Sequence, residues 1–276
     1  MADIHQFNHR AMATYFEVRI ADEDRAYAAQ AAQAALDLLD RLESHLSRFR
    51  ANSDIAQVAA LAPGEKMHLS EPAFACLEIA KKMEFATLGG FSPTAAAMQT
   101  QGCFPQWTLL PEELSIQCES GRLQFDLGAI GKGFALDRMA ELLRRWDCPA
   151  FLLVAGGSSI LAGDPPKETA GWSCGLGAED APKRLFLTDA SLSGSGLAVK
   201  GNHIFDPRTG RPALRQNRAW ALATTAAESD ALSTACMVLN ERELEEVLAQ
   251  DDSWLFFLEP HRIDQPMGRR VLPSQV

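Results

Sequence analysis

Apolar and polar residues alternate near the start of the chain, from Met12 to Ile20, and this period of two predicts a β-strand. A helix is predicted next, from about Asp24 to Arg48, because leucines recur there at steps of three and four residues and form one apolar stripe. Polar residues 50–54 interrupt the stripe. They predict a loop that leads into a short helix.

The middle of the chain carries two more helical patterns. The first covers Glu71–Leu88, with Ser70 as its N-cap and the pair Gly89-Gly90 as its stop. The second runs from about Gly133 to Trp146. Between them, proline and glycine break the stretch 101–119, which predicts an irregular segment before a strand that ends near residue 125.

The second half of the chain mixes short strands with helices. Strands are predicted at 151–154, 171–177, 184–188, 192–198 and, as the last strand, 255–258, with helices at 228–239 and 241–249. Strands and helices follow one another without a regular β-α-β alternation. The pattern therefore predicts an α+β fold, with mixed sheets flanked by helices, in a single domain that spans residues 1–276.

Composition and charge narrow the partners. The chain has 26 Lys and Arg against 36 Asp and Glu, a formal net charge of −10. Binding to nucleic acid or to an anionic membrane surface needs clustered basic residues, so neither partner is expected. No apolar run reaches the length of roughly 18 residues that a membrane-spanning helix needs. The polar, charged N-terminus does not resemble a secretory signal, so we expect a cytoplasmic protein.

One glycine-bearing segment has the composition of an anion-binding turn. Between Asp126 and Gly133, the sequence combines a carboxylate, three glycines and Lys132 at a predicted strand-to-helix turn. Glycines allow the backbone to approach a ligand, and the N–H groups at a helix start favour anions. The alternative is structural: Asp126 caps the helix and Lys132 is solvated. Two other glycine turns, Gly156-Gly157 and 193–196, fit no nucleotide-binding motif and are more typical of tight turns.

Two further segments carry candidate chemistry. Residues 201–212 combine His203, one of six histidines, with turn-forming residues, although a lone histidine is more often structural. Asp230 and Thr234 are four residues apart and so share one face of a helix. A carboxylate and a hydroxyl offer the oxygen ligands that Mg²⁺ prefers. The alternative is that Ser229 or Asp230 caps the helix.

Taken together and in order, these segments resemble the ApbE family of flavin transferases. The matching segments are Met12-Ala13-Thr14, Ser47-Arg48-Phe49, residues 89–94, Asp126 to Gly133, Asp137-Arg138, Gly156-Gly157, His203 to Pro212 and Asp230 to Ala235. The resemblance implies a T-fold-like α+β domain. It also implies Mg²⁺-dependent transfer of FMN from FAD to a Ser or Thr hydroxyl of a partner flavoprotein, with release of AMP.

The resemblance assigns roles residue by residue. The metal ligands would be the Ala129 carbonyl, the Asp230 carboxylate and the Thr234 hydroxyl, with His203 as the candidate for proton transfer. FAD would be contacted by Met12, Phe49, Gly90, Phe91, Ser92, Asp126, Lys132 and Ile204.

Several positions depart from the family pattern. Ser92 stands where an Asp is usual, Phe49 replaces a Tyr, Ala13 replaces a Gly, and Leu197 replaces an Asp; Asn202 stands before His203, where members often carry another histidine. These departures leave two alternatives to transfer: an FAD diphosphatase that releases FMN and AMP, and a non-catalytic FAD-binding protein. Because a serine carries no charge, we expect weaker FAD binding than the family norm and tighter binding by Ser92→Asp, unless the pocket around Ser92 is reshaped.

Overall fold

The protein is described from a computed structural model that covers residues 3–22, 24–177, 183–196, 204–213, 215–260 and 262–270. The helices in these ranges are α1 (Arg25–Leu46), α2 (Asp54–Val58), α3 (Glu71–Ala86), α4 (Ala95–Gln101), α5 (Gly131–Arg145), α6 (Ala226–Cys236) and α7 (Glu241–Leu248). The strands are β1 (Asp3–Ala11), β2 (Thr14–Asp22), β3 (Lys66–His68), β4 (Gln106–Leu110), β5 (Ser115–Ser120), β6 (Phe151–Ala155), β7 (Ser159–Ala162), β8 (Trp172–Leu176), β9 (Lys183–Leu187), β10 (Ala190–Gly196), β11 (Arg218–Ala223), β12 (Leu255–Glu259) and β13 (Met267–Gly268).

An eight-stranded sheet organises the molecule, with strand order β1-β2-β6-β7-β10-β11-β12-β13. Its neighbouring strands pair antiparallel throughout. A three-stranded sheet, β3-β5-β4, and the hairpin β8-β9 accompany it. The predicted α+β fold class is confirmed.

The two faces of the large sheet are covered differently. Alternate residues of a strand point to opposite faces, so β6 sends Leu153 into the core beneath the helices and Leu152 into a second, smaller core. That second core includes side chains from the hairpin β8-β9, such as Trp172 and Leu185. The helices therefore pack on one face and the hairpin on the other.

Helix α1 forms where the leucine stripe predicts a helix. Asp24 accepts hydrogen bonds from the N–H groups of Ala26 and Tyr27, which satisfies donors that the helix leaves unpaired. The leucine stripe ends up buried, with Leu39 and Leu42 inside the core. Helix α1 packs on β1, β2 and α5. The predicted helix is confirmed with nearly the predicted bounds.

Helix α6 is the most buried helix near the candidate site. Nine of its eleven residues are buried, and most of them are small. Small side chains let the helix lie close to β10 and β11 while it also packs against α5. The start of α5 comes closest at Gly133, where an added Cβ would lie 2.0 Å from the Ala226 carbonyl oxygen. Only glycine fits there.

Most predicted elements are confirmed, but four predictions about strands are wrong. The stretch 101–119, expected to be irregular, contains β4 and β5, and the strand expected to end near Phe125 is not formed. The segment 255–258 is not the last strand, because β13 pairs with it. Strand β1 precedes the expected opening strand: it is an edge strand with mostly exposed or half-buried side chains, so it carries a weak hydrophobic pattern.

Within the part of the chain that the structure describes, no helix combines the length and apolarity needed to cross a membrane.

Candidate functional site

The candidate site centres on the carboxylate of Asp230, in the second turn of α6. Its side chain is only 5% exposed and lies 3.1 Å from the Lys132 ammonium. Its oxygens also accept hydrogen bonds from the Ser159 hydroxyl at 3.1 Å and from the Gly133 N–H at 3.2 Å. A buried carboxylate needs such partners, because an unpaired charge inside a protein is costly. We call the meeting of these two helix starts the α5–α6 junction.

Lys132 is part of the junction and is not a solvated residue. Its ammonium also donates to the Gly128 carbonyl at 3.1 Å, so it lies between a main-chain oxygen and a carboxylate. Asp126 does not cap α5 either, since its carboxylate accepts the Gly128 N–H at 2.9 Å and pairs with Arg48 at 2.9 Å. Both parts of the structural alternative for this turn are wrong.

A second carboxylate, Asp137, fixes the start of α6 from the neighbouring helix. Its two oxygens accept the N–H groups of Ala226 and Ala227 at 2.7 and 2.8 Å. Burial raises the pKa of Asp137 to about 7, although the two N–H groups act in the opposite direction. The sequence contained this residue in the matched Asp-Arg pair but gave no sign of its role, because its partners lie about 90 positions away.

The capping alternative for Ser229 and Asp230 is also wrong. The N-cap of α6 is Thr225, whose hydroxyl accepts the Glu228 N–H. Ser229 instead shares hydrogen bonds with Ser191 and Ser193 of β10, at 2.7 and 2.8 Å. These buried hydroxyls fasten α6 to the sheet.

Further hydroxyl contacts between β10 and α6 lie near the C-terminal end of β10. Ser195 lies 3.0 Å from the Ser233 hydroxyl and 3.2 Å from the Thr234 hydroxyl. Thr234 in turn bonds the main-chain oxygen of Asp230 at 3.4 Å, so the two residues share one face of α6 as predicted. Sequence analysis missed Ser159 and Ser195, which reach this face only through the sheet. Leu197, named as a departure from the family pattern, lies outside the described residues.

Segments from elsewhere approach the Asp126 side of the junction. The Asp126 N–H donates to the Pro93 carbonyl at 2.8 Å, which brings residues 89–94 next to the glycine turn. Arg48 connects Asp126 to Phe49, because its guanidinium also lies 4.8 Å from the Phe49 ring centroid. We call residues 47–53 and 89–94 the outer loops.

The predicted flavin contacts in the outer loops differ in how far their side chains are exposed. Phe49 is 80% exposed, whereas Phe91 is 1% exposed and belongs to the core, and its N–H donates to the Thr87 hydroxyl at 3.1 Å. Gly90 leaves no room for a side chain, since a Cβ would lie 2.8 Å from Leu239. Ser92 is buried and its hydroxyl accepts the Thr94 N–H.

A carboxylate stands beside Ser92. Burial raises the pKa of Glu84, while a hydrogen bond with Ser92 and the charge of Lys81 lower it in part. The position that departs from the family's Asp therefore already has an acidic neighbour.

The remaining predicted contacts lie at two turns. Met12 is half-buried in the tight turn between β1 and β2. That turn meets the Gly156 turn, where a Cβ would lie 2.6 Å from the Thr14 hydroxyl. Ile204 is nearly buried and its carbonyl accepts the Ala213 N–H. His203, the candidate for proton transfer, lies outside the described residues.

The loop that begins at Ile204 is fastened by Arg208. Its guanidinium bonds Asp206 at 2.9 Å and Glu243 of α7 at 2.7 Å. Burial alone would raise the pKa of Asp206, but the hydrogen bonds and charge of Arg208 bring it below its ordinary value. The loop is therefore held against α7.

The donor set at the junction fits a magnesium ion. Among the described residues, no group of three or more His, Cys, Asp or Glu side chains could hold a metal ion. Mg²⁺ is commonly held by one or two carboxylates with other oxygens, water and phosphate. Asp230 supplies a carboxylate and Thr234 a hydroxyl. Ala129 is next to Gly128, whose carbonyl accepts a hydrogen bond from the Lys132 ammonium.

The fold and the junction together define an α+β protein with a buried Lys132–Asp230 ion pair next to a glycine turn. The sequence profile of the ApbE family matches residues 12–256, and the chain belongs to that family. The family prediction is thus confirmed, and the protein is an enzyme of the transferase class.

Similar proteins agree with this assignment. A relative from Klebsiella pneumoniae (strain 342), named FAD:protein FMN transferase, is 22% identical across 88% of each chain. One of the same name from Treponema pallidum (strain Nichols) is 26% identical across 82% of this chain and 76% of its own. The solved structure titled flavin transferase ApbE from Vibrio cholerae shares the fold, with a TM-score of 0.79 at 17% identity over 94% of each chain.

Proposed function

We propose that this protein transfers FMN from FAD to a Ser or Thr hydroxyl of a partner flavoprotein, with Mg²⁺ as cofactor and AMP as the second product. The observation that carries the proposal is the pair Lys132 and Asp230, 3.1 Å apart at the α5–α6 junction. A cationic side chain and a carboxylate beside a glycine turn with the composition of a diphosphate site support the proposal.

In the proposed reaction, the acceptor oxygen bonds to the phosphorus of the FMN half. The bond from that phosphorus to the bridging oxygen breaks, and AMP leaves with the electron pair. The acceptor hydroxyl loses its proton to a base, for which His203 is the candidate because an imidazole accepts protons near neutral pH. When bound, Mg²⁺ neutralises charge on the diphosphate oxygens.

Each proposed residue has a task that its position supports. Lys132 stabilises the charge that develops on the leaving phosphate. Asp230 and Thr234, with the Ala129 carbonyl, would hold the metal. Asp126, fixed by Arg48, borders the diphosphate turn.

The remaining assignments concern the flavin and adenosine ends of FAD. We propose that they are bordered by the outer-loop residues Phe49, Gly90, Phe91 and Ser92, together with Met12 and Ile204. The exposed ring of Phe49 is available for stacking on a flat ligand. The cytoplasmic location stays a prediction from the sequence.

One incubation tests the proposal. The full chain is mixed with FAD, Mg²⁺ and a candidate acceptor flavoprotein, and all products are identified by mass spectrometry. A covalent FMN adduct on a Ser or Thr, with one AMP per adduct, is expected. Free FMN and AMP without an adduct would instead establish a diphosphatase, and unchanged FAD would establish a binding protein.

A matched binding measurement adds a second criterion. The site extends over the diphosphate and adenosine, so FAD should bind more tightly than FMN. Calorimetric titration of the two flavins, each with and without Mg²⁺, measures this. Equal affinities would contradict the assignment of the turn at Asp126 to Gly133 as a diphosphate site.

A further inference from the structure

We propose that the Lys132 ammonium holds the cation position beside Asp230 until FAD arrives, so that Mg²⁺ and FAD bind in a coupled manner. This inference rests on the proposed function and specifies how the same site is regulated. In it, the Lys132 ammonium exchanges between two partners, Asp230 before FAD binds and an FAD phosphate afterwards.

The first argument is geometric. The ammonium makes contacts of the kind a metal ion would make, with the Gly128 carbonyl at 3.1 Å and the Asp230 oxygens at 3.1 and 3.3 Å. The proposed metal ligands include the carbonyl of the next residue, Ala129, and the same Asp230 carboxylate. The ammonium therefore competes with a metal ion for the carboxylate that both need.

The second argument concerns charge. In the structure, the Lys132 and Asp230 charges cancel at a place where the side chains are 20% and 5% exposed. Adding a divalent cation alone would leave a net double positive charge in this poorly solvated site, which is unfavourable. With FAD present, Mg²⁺ and Lys132 carry three positive charges, and Asp230 with the diphosphate carries three negative charges. Only the unloaded pair and the full set are neutral, whereas either ligand alone leaves a net charge of two.

The third argument is that the remaining bonds keep Asp230 in place while Lys132 moves. The Ser159 hydroxyl and the Gly133 N–H hold the carboxylate independently of the lysine. Lys132 lies in the first turn of α5, and its ammonium is at the end of a flexible four-carbon side chain. The ammonium can therefore turn toward a phosphate without any movement of the helix. The carboxylate is thus a fixed ligand and the ammonium a replaceable one.

Calorimetric titration of MgCl₂ into the flavin-free full chain tests the inference without an activity readout. Lys132→Met removes the competing ammonium and is expected to bind Mg²⁺ at least about tenfold more tightly than the wild type. Lys82→Met is the matched control: Lys82 pairs with Glu228 of the same helix at 3.5 Å and is 71% exposed, so its loss changes net charge equally. Its Mg²⁺ affinity is expected to match the wild type within about twofold, since exposed pairs contribute little.

The wild type gives a second test that does not depend on any variant folding. Saturating FAD is expected to raise the Mg²⁺ affinity by about tenfold or more, and saturating Mg²⁺ to raise the FAD affinity by the same factor, because coupling is reciprocal. The factor should be smaller in Lys132→Met, where no ammonium has to leave. Thermal unfolding of each variant establishes that it is folded.

The outcomes separate this inference from the proposed function. Mg²⁺ binding by folded Lys132→Met that equals or falls below the wild type overturns the exchange, as does a wild-type affinity that FAD leaves unchanged. Both results leave the metal site standing if Asp230→Asn abolishes Mg²⁺ binding. If Asp230→Asn binds Mg²⁺ as the wild type does, the site itself is misassigned, and the proposed function loses its metal along with the exchange.

Discussion

The α5–α6 junction and the outer loops differ in how tightly they are built. At the junction, Asp230 has three separate donors and Asp137 has two, so each carboxylate is fixed from more than one element. In the outer loops, Phe49 is mostly exposed and Ser92 has replaced an expected carboxylate. The family motifs match without departure at the junction, whereas Phe49 and Ser92 depart from the family pattern in the outer loops; the other departures, Ala13, Leu197 and Asn202, lie in neither region.

This difference indicates where the fold leaves freedom to change. A bonded carboxylate at the junction cannot be altered without leaving a buried donor unpaired, which is costly. An exposed outer-loop side chain such as Phe49 meets mainly solvent, so it can change without leaving a buried group unpaired. We infer that the bonded carboxylates of the junction are fixed and that the outer loops are one region where this chain departs from the family pattern.

The sharpest way to break the junction is Gly133→Ala. The new methyl group would lie 2.0 Å from the Ala226 carbonyl oxygen, so α5 and α6 must move apart. We expect the free energy of unfolding to fall by about 3 kcal/mol or more, as overpacking at backbone contacts does. Gly131→Ala is the control, since its Cβ would make ordinary contact with Leu127 at 3.5 Å. Chemical denaturation of both variants measures this; equal stability would show that the two helix starts are loosely packed.

The next change tests the chemistry of the junction. Asp230→Ala is expected to lower Mg²⁺-dependent turnover by about a hundredfold or more, because it removes the only carboxylate in the proposed ligand set. Glu228→Ala, a carboxylate removed from the same helix two positions earlier, should keep turnover within about threefold. Steady-state rates over a range of MgCl₂ concentrations give the comparison. An unchanged Mg²⁺ dependence in folded Asp230→Ala would place the metal elsewhere.

These two variants also show what the sequence could and could not predict. Helices α1, α3 and α5, and the shared face of Asp230 and Thr234, follow from local periodicity and spacing. The contacts that build the junction join residues 71 to 98 positions apart, such as Ser159 with Asp230 and Lys132 with Asp230. Local reasoning therefore leaves capping by Ser229 or Asp230 open as an alternative, whereas Thr225 and the distant Asp137 bind the first N–H groups of α6.

Strand β1 shows a different limit of sequence-based prediction. Its inward residues are only half-buried, including His5, Phe7 and His9, so the alternation lacks the contrast that marked β2. The register of β1 on β2 comes from pairing across the turn at Met12 and Ala13. Met12 and Ala13 both have positive φ there. In a sequence, only glycine, asparagine and aspartate indicate such a conformation, so the residue types at this turn do not predict it.

A smaller effect should come from the titration of Asp137. Its pKa in the folded protein is about 7, above the ordinary value of 3.8, so the folded state binds the proton more tightly than the unfolded state. The stabilisation that this proton gives is complete below pH 4 and is lost as the pH rises to about 7. We expect the free energy of unfolding to decline across this range by on the order of 2 kcal/mol more in the wild type than in Asp137→Asn. Denaturation at pH 4.5, 5.5, 6.5 and 7.5 measures the two slopes.

Parallel slopes for the two proteins would contradict this expectation. They would mean that the Ala226 and Ala227 N–H groups outweigh burial and keep Asp137 ionised throughout. Asp137→Ala separates the cap from the charge, since it leaves both N–H groups unpaired at every pH. Its loss of stability, about 2 kcal/mol, should therefore be present even at pH 4.5.

The smallest expected effect concerns the outer loops, at Ser92. From the sequence alone, a restored carboxylate at this position is expected to tighten FAD binding. The structure favours the reshaped-pocket alternative, because Ser92 is buried and shares a hydrogen bond with Glu84, whose own pKa burial has already raised. A second carboxylate here would be buried beside a first, which is unfavourable for both. We therefore expect Ser92→Asp to lose about 1 kcal/mol of stability and to leave FAD affinity equal or weaker.

Adding Glu84→Gln to Ser92→Asp removes the repulsion and should recover most of that stability, which a double-mutant cycle measures against Glu84→Gln alone. Calorimetry with FAD completes the test: tenfold tighter binding by Ser92→Asp alone would show that this chain's pocket still lacks the carboxylate, and that Glu84 does not occupy its place.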